Sequence, residues 1–344
     1  MSQTPVKRKF MEFQANQIDT VLAVHRVPAQ VQGGNVTPRW FRYHLNTAPG
    51  ARVSVVRNLS EELALALGAN QVRIARDGYN LTVEVPRSDS SAVYLLDLME
   101  QFPMNETVAP CIGVGDDGRS LHLRLHSPDI AHALVAGTTG SGKTELMRTI
   151  VWSLASTNRC SQLQLVLIDP KCRGFGTFRT LPHLLAPVVT RPSAALRLLE
   201  RLTEEMERRD RENIQKPHIV VVVDEVADLL NTAGKVLESY LIRLAQRGRE
   251  AGIHLILGTQ SPSSEIFSSL LKANFPLRLV GKVSSANDAR VAAGIAGTNA
   301  EQLVGQGDFL AISSGRVTHF QAAYVPTSHY PELQKRIAQK AGRL

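Results

Sequence analysis

Long apolar runs are absent from this 344-residue chain. No stretch reaches the ~20 consecutive apolar residues that a helix needs to span a bilayer, so no membrane-spanning segment is expected. Lys7, Arg8 and Lys9 stand near the start, but no apolar segment follows them, which argues against a secretory signal. Cysteine is scarce. Cys111, Cys160 and Cys172 form no C-x-x-C pair, which sets aside a zinc knuckle and a disulfide framework and fits idle thiols in a reducing, cytoplasmic compartment. Aromatic residues make up only 5%, and no internal repeat or low-complexity tract is found. The hydrophobic share of 43% and the charged share of 20% are those of a globular protein, long enough for about two domains. Acidic residues are the minority charge, 31 against 39 basic ones, and the net charge of +8 suggests a polyanionic partner, nucleic acid first of all.

Residues 137–144 carry the most specific chemistry. Gly137-Thr138-Thr139-Gly140-Ser141-Gly142-Lys143-Thr144 has the form G-x-x-x-x-G-K-[ST], in which backbone N–H groups wrap a phosphate chain. Lys143 supplies a point charge for the β- and γ-phosphates and Thr144 a hydroxyl for Mg²⁺. With Glu145, the first residue beyond the motif, these form the candidate ATP-binding set. Residues 132–136 before the loop read as a buried strand, and residues 145–155 after it have helical apolar spacing. The positive end of that helix would face the same anion.

Residues 219–223, an isoleucine and four valines, suit a parallel strand buried on both faces. The run ends in Asp224-Glu225, where open α/β sheets bind ligands. Asp224 is expected to hold Mg²⁺ and Glu225 to polarise the attacking water. Further strands are expected at 164–168, ending in Asp169-Pro170-Lys171, and at 253–257, ending in Gly258-Thr259-Gln260. Gln260 is thus a candidate sensor of the γ-phosphate. Helices are expected at 194–211, capped by Ser193, and at 234–250. Alternating strands and helices give an α/β fold with a parallel sheet. Upstream, short strands are expected at 53–56, 71–75 and 81–85, and helices at 60–67 and 93–102. Gly113 to Gly118 matches G-x-G-x-x-G literally, but it precedes a strand, so it reads as a hairpin turn and not as a dinucleotide fingerprint.

With these motifs in view, the chain resembles the FtsK/SpoIIIE family of DNA translocases. The likeness is carried by residues 133–144, 168–171, 181–190, 221–229, 251–260, 271–278, 283–285 and Leu303-Val304-Gly305-Gln306-Gly307-Asp308, and upstream by 48–54 and 58–69, in collinear order from about Val36 to Val325. It implies a RecA-like P-loop ATPase core with a smaller N-terminal α+β domain, assembled as a homohexameric ring around double-stranded DNA. An arginine from the neighbouring subunit would complete each ATP site. Arg249 is the best positional match, with Arg243 and Arg247 close by. The family's DNA-contacting loops map near Ser261, Lys272, Ala286 and Arg290, and the first and third of these lack the family's usual basic residue.

The domain organisation expected is a flexible arm over 1–30, the small domain over 31–112, the ATPase domain over 113–330 and a basic tail over 331–344. The family's membrane-spanning segments, long linker and winged-helix domain are not found in this sequence, so a bare motor moving along duplex DNA without strong sequence readout is expected. Two other readings use the same core: a switch or assembly ATPase that does not track DNA, and an end-processing helicase partner of the HerA type.

Overall fold

The computed structural model describes residues 5–48, 52–77, 80–89, 92–101, 106–260 and 268–341. It divides into two compact units, Met1–Ala92 and Val93–Leu344. In the first unit, helix α1 (Pro5–Val24) is followed by strands β1 (Ala29–Val36) and β2 (Trp40–Thr47), helices α2 (Val53–Asn58) and α3 (Ser60–Ala66), and strands β3 (Arg73–Asp77) and β4 (Asn80–Pro86). The strands form an antiparallel sheet in the order β1-β2-β4-β3. Phe41, Tyr43 and Leu45 alternate along β2, and Leu81, Val83 and Val85 along β4, so one face carries the core. Met11, Ile18 and Leu22 of α1 cover that face, and the Tyr43 hydroxyl donates to the buried Gln14 side chain at 2.7 Å.

Three expectations are corrected here. Residues 1–30 are not simply an arm, because Pro5–Val24 is a helix whose Met11, Ile18 and Leu22 are buried. Residues 53–56 are not a strand. Val56 packs into the core together with Leu59 and Leu63, and that tertiary contact overrides the β-propensity of three valines. The division between units falls at Ala92/Val93 and not at 112/113, because helix α4 (Leu95–Gln101) buries Leu95, Leu96 and Leu98 in the core of the second unit.

The second unit continues with β5 (Cys111–Gly115), β6 (Ser120–His122), β7 (Ala133–Ala136), α5 (Lys143–Thr157), β8 (Leu163–Ile168), α6 (Pro192–Glu212), β9 (His218–Val223), α7 (Val226–Arg247) and β10 (Ile253–Thr259). Then come α8 (Ser269–Ala273), β11 (Leu277–Val280), α9 (Ala286–Ala293), β12 (Asp308–Ser313), β13 (Arg316–Ala322) and α10 (Tyr330–Ala341). Five parallel strands in the order β8-β9-β10-β7-β11 form its centre. Strands β12, β13, β5 and β6 extend the sheet in antiparallel fashion. Along β9, Val220 and Val222 join the layer with α5 and α10, whereas Ile219, Val221 and Val223 join the layer with α6 and α7. A strand covered on both faces needs apolar residues at every position, which accounts for the unbroken run.

Residues 113–118 lie in the β5–β6 hairpin, with the Gly118 N–H donating to the Gly115 carbonyl at 2.9 Å. Residues 331–344 are not a separate tail: α10 buries Leu333 and Ile337 in the same core as α5. Helix α7 starts at Val226, eight residues before the expected 234, and Gly234 interrupts it with a non-helical φ of 59°. The α6 helix begins at Pro192 with Arg191 as its N-cap, so Ser193 lies inside it.

Candidate nucleotide site

Strand β7 delivers the chain into residues 137–142, and α5 starts at Lys143. Gly142 holds the turn with φ +97°, a conformation that L side chains rarely adopt. Two neighbours fix the rear of the loop: Gly137 N–H donates to Thr259 O at 3.2 Å and Thr138 N–H to Lys282 O at 2.8 Å. Beyond it, α5 points its N-terminus at the loop, so an anion there would meet unpaired amides and the positive end of the helix dipole.

The C-terminal ends of β9 and β10 bring the remaining residues to this loop. Lys143 is buried, and its ammonium donates to the Asp224 carbonyl at 2.6 Å and to Asp224 Oδ1 at 2.8 Å. The Thr144 hydroxyl lies 3.2 and 3.3 Å from the two Asp224 carboxylate oxygens. A hydroxyl and a carboxylate converging in this way form an oxygen donor set that suits a hard divalent cation such as Mg²⁺.

Glu225 Oε1 accepts the Gln260 N–H at 3.1 Å. Its Oε2 is buried without a hydrogen-bond partner, with the ammonium groups of Lys143 and Lys171 each 3.8 Å away. Burial raises the Glu225 pKa above the ordinary carboxylate value, and Lys143 opposes that rise. A carboxylate with one oxygen anchored and the other unoccupied is suited to take a proton from water. The Gln260 side-chain oxygen accepts from the Thr139 hydroxyl at 3.4 Å, and the Glu145 carboxylate turns to Arg148 at 2.9 Å.

Lys171 had no role in the sequence reading. The Asp169 carboxylate accepts the N–H groups of Gly174 and Phe175 at 2.8 and 3.0 Å, which folds the loop after β8 back towards Asp224. A Cβ on Gly174 would meet Asp224 Oδ2 at 2.8 Å, so the approach is close. The available signal was Asp169-Pro170-Lys171 at the end of the strand beside β9.

Arg249 lies far from these residues. It sits between α7 and the start of β10, at the opposite end of the parallel strands, roughly 20 Å of strand from Gln260. Arg249 therefore cannot reach the phosphate loop of its own chain. Arg243 pairs with Glu207, and Arg247 with Asp210 at 2.7 Å, both across to α6. Arg249 instead pairs with its sequence neighbour Glu250, at 3.4 Å, its charge is felt by His132, and its side chain is 38% exposed.

A histidine group, with His132 and His254 buried and His218 half-buried, lies at that same end of the strands. His218 Nδ1 is 3.2 Å from His254 Nε2, His254 Nδ1 is 3.2 Å from Ala131 O, and His132 Nδ1 accepts the Leu255 N–H at 3.0 Å. Burial pushes His254 down to about 3 and His132 down to about 4, from an ordinary 6.5. Between those values and pH 6.5 the unfolded chain binds more protons than the folded one. Stability is therefore full above about pH 6.5 and falls as the medium is acidified, by about 1.4 kcal/mol per pH unit for each ring. His122, His183 and His218, whose pKa values burial also lowers, add to this loss; urea unfolding at pH 7 and pH 5.5 should show it before most carboxylates titrate, and His254→Gln should reduce it without abolishing it. Identical midpoints at the two pH values would refute the assignment.

Of the expected DNA-facing residues, Ser261 lies outside the described residues. Lys272 is on α8, half-buried, with its pKa lowered by burial. Arg290 is exposed on α9 and its guanidinium donates to Asn287 at 3.2 Å, while Ala286 is the first residue of that helix. One side chain links these two helices. Arg278 donates to Lys272 O at 3.0 Å and to Ala292 O at 3.2 Å, satisfying C-terminal carbonyls of both.

The sequence profile of the FtsK/SpoIIIE family matches residues 95–215 and 209–264, and that of the FtsK alpha domain matches residues 1–87. This chain belongs to the FtsK/SpoIIIE family. It is 36% identical over 346 residues to the DNA translocase FtsK of Lactiplantibacillus plantarum, covering 92% of this chain and 43% of that protein. The DNA translocase FtsK of Staphylococcus aureus is 35% identical over 340 residues, with 90% and 43% covered. The chain thus spans less than half the length of these relatives. Among solved structures, the pCW3 conjugation coupling protein TcpA, in its monomer form with ATPγS, superposes with a TM-score of 0.66 at 19% identity over 95% of this chain and 99% of that one. The cytoplasmic domain of the type VII secretion ATPase EccC from Thermomonospora curvata gives 0.62 at 24% identity, over 74% of this chain and 35% of that one. These likenesses establish the fold as a RecA-like P-loop core with an N-terminal α+β unit. Among the described residues, no helix is long and apolar enough to cross a membrane.

Proposed function

We propose that this chain is the motor of an ATP-driven translocase that moves along double-stranded DNA as a homohexameric ring. The observation that carries this reading is the convergence of Lys143, Thr144, Asp224, Glu225 and Gln260 at one end of the parallel sheet, in a chain related to proteins named DNA translocases. Lys143 exchanges its ion pair with Asp224 for the β- and γ-phosphates of ATP. Thr144 and Asp224 hold Mg²⁺, which supplies charge neutralisation at the phosphates. Glu225 accepts a proton from the attacking water as the bond between the γ-phosphorus and ADP breaks, and Gln260 senses whether the γ-phosphate is present. Arg249 acts on the neighbouring subunit's site. Its place at the far end of the parallel strands and its weak local pairing support that role.

The DNA is gripped through phosphates, by Lys272 and Arg290 with backbone groups near Ser261. A motor that passes every sequence gains nothing from base contacts, whereas phosphates recur at every step. With Ser261 and Ala286 where the family has basic residues, each subunit makes few ion pairs, so affinity is modest but still declines with salt. Lys272→Ala and Arg290→Ala should each lower the DNA-stimulated ATPase rate by about three- to tenfold and spare the basal rate. Binding indifferent to salt, or a footprint at one preferred sequence, would rule out this grip.

The test of the whole reading is ATPase rate against duplex length, with single-molecule displacement in parallel. Stimulation by end-free duplex together with processive displacement is the expected result. Hydrolysis that duplex DNA leaves unchanged would point to a switch or assembly ATPase, and stimulation only by DNA ends to an end-processing partner.

A further inference from the structure

Residues 303–308 have no part in the nucleotide chemistry described above, yet they lie against the phosphate loop. Gln306 N–H donates to Gly140 O at 2.9 Å, and Gly307 N–H donates to Ser141 O at 2.8 Å. The approach leaves no room, since a Cβ on Gly142 would stand 2.7 Å from Gly307 N, and one on Gly305 2.9 Å from Gly140 O. To aim two successive amides at the loop, the chain takes three successive left-handed residues: Gly305 at φ +84°, Gln306 at +51° and Gly307 at +94°. Such a run does not hold itself in place.

Its restraint comes from Asp308 and from β13. The buried Asp308 accepts the Val304 N–H at 3.0 Å through Oδ2 and meets His319 Nε2 through Oδ1, while His319 Nδ1 faces Asp116 at 3.0 Å. Gln321 Nε2 donates to Gln306 O at 3.2 Å, and Ala322 N–H donates to Gly307 O at 2.7 Å.

Peptide geometry gives these contacts a consequence. The C=O and N–H of one peptide group point in opposite directions. Fixing the Ser141 carbonyl against Gly307 therefore turns the Gly142 N–H the other way, into the concave side of the loop, where among the described residues it has no partner. This amide and those opening α5 form an anion-binding nest.

We infer that Gly305-Gln306-Gly307, locked by Asp308, is a positioning device that orients the Gly142 amide for the nucleotide's phosphates and couples their binding to the β12–β13 hairpin. This rests on the nucleotide reading proposed above. The residues touch no substrate and act only through the phosphate loop.

The test uses the full chain, the variants Gly307→Ala, Asp308→Asn and Gln321→Ala, and fluorescent ADP as the probe. A methyl group on Gly307 would meet Gln321 Nε2 at 2.6 Å and is disfavoured at its φ. Gly307→Ala and Asp308→Asn should weaken ADP binding at least tenfold and raise KM for ATP to match. Both should change kcat less than threefold and leave duplex affinity intact. Gln321→Ala removes one restraint and should weaken ADP binding two- to fourfold, which keeps the test alive should the stronger variants fail to fold. In the wild type, ADP should slow hydrogen exchange in residues 304–322, which do not touch it; a merely structural turn would show no such change. Folded variants that bind ADP as tightly as wild type, or unchanged exchange in that segment, would overturn the inference. Failure of the wild-type protein to bind ADP would instead overturn the nucleotide reading beneath it.

Discussion

Glu225→Gln protein is expected to bind ATP about as tightly as wild type while turning it over ~10²- to 10⁴-fold more slowly, the usual loss when a general base is removed. The substitution keeps the side-chain oxygen that accepts the Gln260 N–H and removes only the basic oxygen facing Lys143 and Lys171. Lys143→Ala should behave differently. That ammonium is buried beside Asp224, and without it the triphosphate meets the Asp224 and Glu225 carboxylates with one fewer opposing charge, so binding itself should be lost. Equilibrium binding of a fluorescent ATP analogue alongside single-turnover hydrolysis separates the two effects. A Glu225→Gln protein that hydrolyses ATP at the wild-type rate would remove Glu225 from the chemistry.

Arg249→Ala should lower DNA-stimulated hydrolysis ~10³-fold or more, as loss of a trans-acting arginine does in other P-loop enzymes. Folding should be little affected, because the one ion pair of the side chain among the described residues is with the exposed Glu250. Closed rings of identical subunits need a heterologous interface, so in equal mixtures of Arg249→Ala and Lys143→Ala chains about one interface in four regains both parts. Activity should therefore reappear in the mixture, although neither variant has it alone. If Arg249→Ala protein is fully active on DNA, attention moves to Arg247 and Arg243, whose pairs with Asp210 and Glu207 must first open.

Much of the candidate nucleotide site was legible in the sequence because its parts are short-range. Gly137 to Thr144 specify a loop by their own conformational demands. The β-branched run ahead of Asp224 can only be a strand buried on both faces, which places the carboxylates at its end. The small unit was harder to read. Strand β1 (Ala29–Val36) contains Gly33 and Gly34 and follows no alternating pattern, because it lies at the sheet edge, pairs with β2 on one side only and is held further by the α1 residue Asp19, which accepts the Val31 N–H. Helix α1 spreads Met11, Ile18 and Leu22 among polar residues, so its order comes from the sheet beneath it and not from a strong apolar stripe. The placement of Lys171 and of the 305–307 turn was not legible for a further reason, although both segments carry the family resemblance. Each owes its place to contacts with residues distant in sequence, Glu225 and Asp228 for one and the phosphate loop for the other.

Helix α7 runs from the C-terminal end of β9 back to the N-terminal end of β10. It leaves directly after Glu225 and ends two residues before Arg249, with Gly234 breaking its helical geometry. The portion beyond the break is a rod of about 20 Å. Pivoting that rod by 10° would carry Arg249 through about 3.5 Å, roughly the difference between a hydrogen bond and no contact. In the ring proposed above, such a pivot would let a small adjustment around the γ-phosphate of one site engage or release Arg249 at the next.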